Sequence, residues 1–321
     1  MPSLITILHK YKITAFFKYF FPWLLGLAIL AILSCRIPLA DLRQALARGP
    51  WLLLGIYVVA QVLVTLLADG YATRISLAVT GVDWRLGKVA LTRGTTYLLG
   101  LVNYALGQGG IGYYLYRDGI KADRVTGIVL FMFIINFGLI CLLSALGVLV
   151  QGLAHYPHLV SVAVWFLFLL TMVYLTIIAA APKKWREFRG LAPLWQAGIS
   201  GHLTAAAGRL PHLGILVLGQ WGALRLWGIA LPLDQAFILI PLVLVIGALP
   251  LTPVGLGTTN AAQVIFFSPY ASDATPETRA AAVLAFSLIY FVLGMASQLA
   301  IGVSSWIWLR RLNRNEGDDV E

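Results

Sequence analysis

The chain's 321 residues are 60% apolar and only 11% charged, with a net charge of +10 and a mean hydropathy of +0.86. A soluble domain carries about 25% charged residues, so this composition excludes the ordinary soluble classes, and the lack of period-two alternation argues against an outer-membrane barrel. The chain reads as an all-α polytopic membrane protein whose basic balance reflects membrane topology, with no nucleic-acid partner.

In chain order, a stretch of about 20 mostly apolar residues, enough to cross a bilayer, occurs over 19–38, 50–73, 125–149, 158–181, 213–232 and 280–308. The first is long enough to remain as a transmembrane helix, and no small-residue cleavage site follows it. Two shorter apolar pieces, 94–107 and 236–250, fall short of a comfortable crossing. Each ends in a glycine-rich break: Leu106-Gly107-Gln108-Gly109-Gly110-Ile111-Gly112 and Pro250-Leu251-Thr252-Pro253-Val254-Gly255-Leu256-Gly257. Broken backbone at membrane depth is tolerated where it faces protein or a wet cavity, and in transporters such breaks bind substrate.

Positive charge orients the map. With a cytoplasmic N-terminus and both short pieces re-entrant, the inner segments are 1–18, 74–93, 108–124, 182–212 and 309–321, and they hold 18 of the 23 lysines and arginines. The outer segments hold Arg36, Arg43, Arg48 and Arg279, and Arg225 lies inside a span. Both termini are then cytoplasmic, in a bacterial-type inner membrane. The halves, about 1–150 and 151–312, repeat span, span, re-entrant, span with opposite starting sides. That order predicts an inverted-topology repeat whose breaks meet near the midplane, within one integral domain over 1–312. Segment 182–212 opens with Lys183, Lys184, Arg186 and Arg189 and reads either as an interfacial helix or as an ordinary basic loop. The tail 313–321 is polar, charged and expected to be disordered.

The two breaks carry a resemblance. Asn103, Gly109-Gly110-Ile111-Gly112 and Arg117, with Leu249-Pro250-Leu251-Thr252-Pro253-Val254-Gly255-Leu256-Gly257, resemble the two signatures of the lysylphosphatidylglycerol-synthase transmembrane, flippase-like family. The resemblance implies a lipid-moving membrane domain without the soluble aminoacyltransferase that some members carry. Other relatives are linked to hopanoid or glycolipid pathways, which implies a biosynthetic-complex partner as one arrangement. Members commonly place an acidic residue shortly after each break, where this chain has Tyr114 and Asn260. That departure disfavours a cationic head and favours an anionic one.

The candidate ligand-binding residues follow. Arg225 stands within Trp221-Gly222-Ala223-Leu224-Arg225-Leu226-Trp227. A mid-depth charge costs about 2.5–3.5 kcal/mol on insertion scales, so it either faces the bundle interior or snorkels to a boundary about 10 Å away. Arg117 either meets a lipid phosphate or pairs with Asp118. An arginine fork suits phosphate because it donates two parallel hydrogen bonds. Thr258, Thr259 and Asn260 follow the second break and offer donors at a helix N-terminus, and Asn103 precedes the first. Gly109, Gly110, Gly112, Pro250, Pro253, Gly255 and Gly257 form the breaks themselves, with half-helices expected to start after Gly112 and Gly257.

Asp69 is expected to pair with Arg74 or with an arginine on another helix. Gln61, Gln220, Asn136 and Gln298 read as interhelical amides. His155 and His158 supply too few ligands for a metal, and Cys35 and Cys141 have no paired spacing. No cofactor, metal or catalytic constellation is read. The expected function is translocation or binding of an amphipathic lipid, chiefly an anionic phospholipid. The alternatives are an intramembrane lipid-modifying enzyme and an accessory subunit of a lipid-biosynthetic complex.

Overall fold

A computed structural model describes residues 4–152, 158–180, 189–249 and 251–318. Pro250, His155, Lys183, Lys184 and Arg186 lie outside the described residues. The helices are α1 (Leu4–Arg36), α2 (Leu39–Arg48), α3 (Trp51–Val79), α4 (Leu86–Gly100), α5 (Tyr104–Gly109), α6 (Ile111–Arg117), α7 (Ala122–Gln151), α8 (His158–Ala180), α9 (Ala192–Leu226), α10 (Leu233–Ala248), α11 (Thr258–Phe267) and α12 (Pro276–Asp318). The described residues contain no strand, and an isolated bridge joins Ile229 to Ala271.

This is an all-α membrane protein. Among the described residues, Trp51–Val79, Ala122–Val150, Val160–Ala180 and Pro276–Leu312 are long and apolar enough to cross a bilayer. A fifth crossing arises if Phe20–Arg36 and Leu39–Arg48, bent by 99° at Ile37-Pro38, count as one. The outward faces explain why such helices need lipid: Leu52 is 80% exposed and Val150 79%. A soluble surface does not leave apolar side chains exposed over so wide an area.

Three sequence expectations change. The span read at 213–232 is not a separate element. It belongs to α9, a 35-residue helix that ends at Leu226 and is made less apolar by His202, Arg209 and His212. The described part of 182–212 is not interfacial. Ala205, Gly208, Arg209 and His212 are buried where α9 packs along α3. Of the tail 313–321, residues 313–318 continue α12 as helix, and 319–321 lie outside the described residues.

Helices α3 and α9 run antiparallel and close, because small residues on α9 meet large ones on α3. Gly201 faces Val79, Gly208 faces Ile75, Gly219 faces Gln61 and Gly222 faces Tyr57. Glycine removes the side chain that would hold two backbones apart, the usual device for helix pairing in lipid. Within α9, Gly198 leaves helical geometry (φ 56°, ψ −173°). His202 spans that break: Nδ1 lies 2.6 Å from the Gly198 carbonyl and Nε2 lies 2.7 Å from the Tyr174 hydroxyl on α8.

The two halves exchange their closing helices. Helix α7 of the first half packs on α10 of the second, and α12 of the second packs on α4 of the first. Small residues again permit the approach: Gly147 meets Ile238, Gly94 meets Ser305 and Gly302 meets Leu98. Between these two pairings lie the two short broken elements.

Candidate functional site

The first break differs in detail from its sequence reading. Helix α4 ends at Gly100, and Asn103 takes an extended conformation (φ −159°, ψ 138°) that caps α5 by accepting from the Ala105 amide at 2.8 Å. The turn is thus at 101–103, upstream of the glycine cluster. Gly110 is ordinary helical backbone and Gly112 lies inside α6, so no half-helix starts after it. The glycine that matters for closure is Gly107, where a Cβ would stand 2.7 Å from the Gly100 Cα. Only bare backbone lets α5 return so tightly along α4.

The second break matches its sequence reading. Helix α11 starts immediately after Gly257, which has φ +83° and carries its backbone onto α1 beside Gly26. Asn260 stabilises this start: its Oδ1 accepts from the Gly257 amide at 2.9 Å, and its Nδ2 donates to Ser287 Oγ on α12 at 3.0 Å. Thr258 and Thr259 both donate back to the Gly255 carbonyl, at 3.1 and 2.6 Å. Val254 holds φ +54°, a left-handed conformation that a β-branched residue adopts only when its surroundings force it, at a strain of about 1–3 kcal/mol.

Both breaks face one cavity of about 380 Å³. Gly100, Tyr104, Gly107 and Gln108 line it from the first, and Gly247, Val254, Thr259 and Asn260 from the second. Helices α3, α7, α9 and α12 supply the remaining walls. The volume lies within the range of small-molecule sites and equals the space of about a dozen waters.

The cavity's chemistry centres on charges from three helices. Asp69 of α3, Arg93 of α4 and Arg209 of α9 are 2%, 3% and 1% exposed. Arg93 Nε donates to Asp69 Oδ2 at 2.8 Å, and Arg209 Nη1 donates to Asp69 Oδ1. Arg93 also reaches the Gly107 carbonyl and Gln108 Oε1, each at 3.3 Å, so it ties the ion cluster to the first break. Two guanidinium groups against one carboxylate leave one positive charge uncompensated within the cluster. Arg93 and Asp69 line the cavity, while Arg209 holds Asp69 from behind. Isolated charge in such a place is costly, so a buried cation in excess of its partner is a ready site for an anion.

The sequence-named residues divide. Thr259 and Asn260 line the cavity; Thr258, which bonds Thr252 Oγ1 at 3.0 Å, and Asn103, which caps α5, do not line it but stand next to residues that do. Arg117 and Arg225 do not line it. Arg117 is exposed, and Asp118 pairs with Lys88 instead. Arg225 is exposed in the last turn of α9, 6.0 Å from the Trp221 ring. Asp69 does find arginines on other helices, as one of its two readings held.

Arg93 and Arg209, the cations that do matter, fall within the inner segments 74–93 and 182–212, where charge reads as topology. Their signal was present: Arg93 stands in Thr92-Arg93-Gly94-Thr95-Thr96 and Arg209 follows Ala205-Ala206-Ala207-Gly208, both runs of small residues suited to burial. No protein-family model and no curated protein matches the chain.

Proposed function

We propose that the protein binds an anionic-headed membrane lipid in this cavity and passes it between the leaflets of a bacterial inner membrane. The observation that carries the proposal is the convergence of two glycine-rich breaks, one from each half, on a cavity with an uncompensated arginine charge. Broken helices at a repeat interface are the usual substrate sites of secondary transporters. The reciprocal packing of α7 on α10 and α12 on α4 supports an inverted repeat with re-entrant breaks, and such halves can rock against each other to open either side. The resemblance to the flippase-like family points the same way. Strain at Val254, on the cavity wall, fits an element with two arrangements.

In this mechanism Arg93 receives the lipid phosphate. Asp69, itself held by Arg209, fixes the guanidinium through Nε, and the phosphate competes with the Gly107 carbonyl and Gln108 for Nη1 and Nη2. Tyr97 and Tyr104 flank the head.

The test uses the purified protein in phosphatidylcholine nanodiscs doped with phosphatidylglycerol, with retained lipid measured by native mass spectrometry. Phosphatidylglycerol is expected to be enriched over phosphatidylcholine. Arg93→Gln should lower that enrichment about ten- to a hundredfold, the worth of hydrogen bonds to a charged group. Equal retention of both lipids by the wild type, or unchanged enrichment in Arg93→Gln, would overturn the proposal.

A further inference from the structure

Helix α9 carries two buried histidines, and the protein holds them differently. His202 is locked between two partners, the Gly198 carbonyl at Nδ1 and the Tyr174 hydroxyl at Nε2, and it does not line the cavity. His212 does line the cavity and is more than nine-tenths buried, yet its Nδ1 has no hydrogen-bond partner in the protein. That nitrogen is sealed off, so a proton reaches the ring from the cavity through Nε2.

The charges around His212 come from three helices. Asp69 of α3, Arg93 of α4 and Arg209 of its own helix all act on the ring. The cavity wall adds Tyr97, Tyr104 and Tyr290, which are neutral near pH 7, and its residues from α7 and α10 carry no ionisable group. Helix α8, which also packs on α9, brings Tyr174, already bonded to His202. Of all these groups, imidazole is the one whose ordinary titration falls near neutrality. Asp69 accepts from two guanidinium groups, and arginine keeps its proton in proteins.

Asp69, Arg93 and Arg209 leave one positive charge uncompensated before any ligand arrives. A proton on His212 then adds a second such charge inside the same buried space, which is costly. An anion at Arg93 supplies the missing counter-charge and lowers that cost.

We infer that His212 takes up a proton from the wet cavity when an anionic head binds at Arg93, and gives it back when the head leaves. The inference rests on the anionic-lipid reading and supplies its driving force. A singly charged head and a proton together are neutral, so the cavity holds the same charge full or empty. Passage of the head then runs from the more acidic side of the membrane to the more alkaline one. Linkage is reciprocal: if the head favours the proton, the proton favours the head by the same factor.

Phosphatidylglycerol is the probe, because its phosphodiester stays ionised across the range used. Wild-type protein in phosphatidylcholine nanodiscs doped with phosphatidylglycerol is held at about pH 8 and at about pH 6, and retained lipid is read by native mass spectrometry. Enrichment of phosphatidylglycerol is expected to be about tenfold greater at the lower pH. His212→Gln keeps a polar side chain of similar reach and cannot titrate, so its enrichment is expected to be equal at both. A second measurement needs no variant: calorimetric titration of wild-type protein with dihexanoyl phosphatidylglycerol, in two buffers of different ionisation enthalpy, is expected to show net proton uptake. Wild-type enrichment that does not change with pH, a rise that persists in His212→Gln, or binding without proton uptake would overturn this inference and leave the anionic-lipid reading standing. No enrichment over phosphatidylcholine at either pH would overturn both.

Discussion

Asp69→Asn isolates what the buried carboxylate does. Asp69 receives one charged hydrogen bond from Arg93 at 2.8 Å and another from Arg209, and all three residues are at least 97% buried. The amide keeps the shape but leaves two guanidinium groups facing each other without a counter-charge. At an effective dielectric of about 20, unit charges about 4 Å apart interact by about 4 kcal/mol. Loss of one partner from a buried ion cluster costs about 3–5 kcal/mol by mutational precedent, which agrees. The expected fall in thermal midpoint is on the order of 10 °C, read as the monodisperse fraction remaining in detergent after heating. Arg93→Gln still leaves Asp69 paired with Arg209, so it should cost only about 1.5–3 kcal/mol. Asp69→Asn combined with Arg209→Met restores a single buried cation and should recover at least half of the loss. If Asp69→Asn unfolds within about 2 °C of wild type, or if the double variant is worse than the single, the ion cluster does not hold these helices together.

Other outcomes follow from the breaks. Gly107→Ala should sharply reduce the monodisperse yield, because its Cβ meets the Gly100 Cα at 2.7 Å, whereas Gly109→Ala, with nothing within 4 Å, should express normally. Gly257→Ala should be as damaging as Gly107→Ala, since it combines φ +83° with a clash against the α1 backbone, and the same yield assay reads it. Asn260→Ala removes both the α11 cap and the link to Ser287 and should lower stability by about 1–2 kcal/mol, measured as a midpoint shift in the same heating experiment. Arg117→Ala and Arg225→Ala, both outside the cavity, should leave phosphatidylglycerol retention unchanged in nanodiscs.

Some of this was legible in the amino-acid sequence because lipid makes composition decisive. Apolar runs of span length over 50–73, 125–149, 158–181 and 280–308 correspond to long helices, and glycine- and proline-rich punctuation marked the two places where helices stop. Asn260 and Thr259 were legible as cavity residues because they directly follow a helix start that Gly257 forces.

The arginines were not legible, for a physical reason. A lysine or arginine near a span end satisfies the positive-inside rule whether it faces headgroups or folds inward, so counting treats Arg93 and Lys88 alike. What separates them is a buried partner: Arg93 and Arg209 meet Asp69 inside the bundle, whereas Lys88 pairs with Asp118 at the surface. The position of Arg225 misled in the opposite direction. It sits in an apolar run, yet that run stops one residue later, at Leu226, and the side chain turns outward beside Trp221. The first break lies upstream of its sequence reading for a similar reason. Gly109 and Gly110 look like a stop, but helical backbone tolerates them, while Asn103 makes the turn by supplying its own cap.

Lipid transfer itself gives the most direct test. Wild-type and Arg93→Gln protein are reconstituted into phosphatidylcholine vesicles containing a trace of head-labelled phosphatidylglycerol. Loss of inner-leaflet label to an impermeant quencher is then followed with time. Transfer by wild-type protein well above that of protein-free vesicles, and its loss in a folded Arg93→Gln variant, is the expected result. Wild-type vesicles no faster than empty ones, or an Arg93→Gln variant as fast as wild type, would contradict lipid passage through the Asp69–Arg93 cavity.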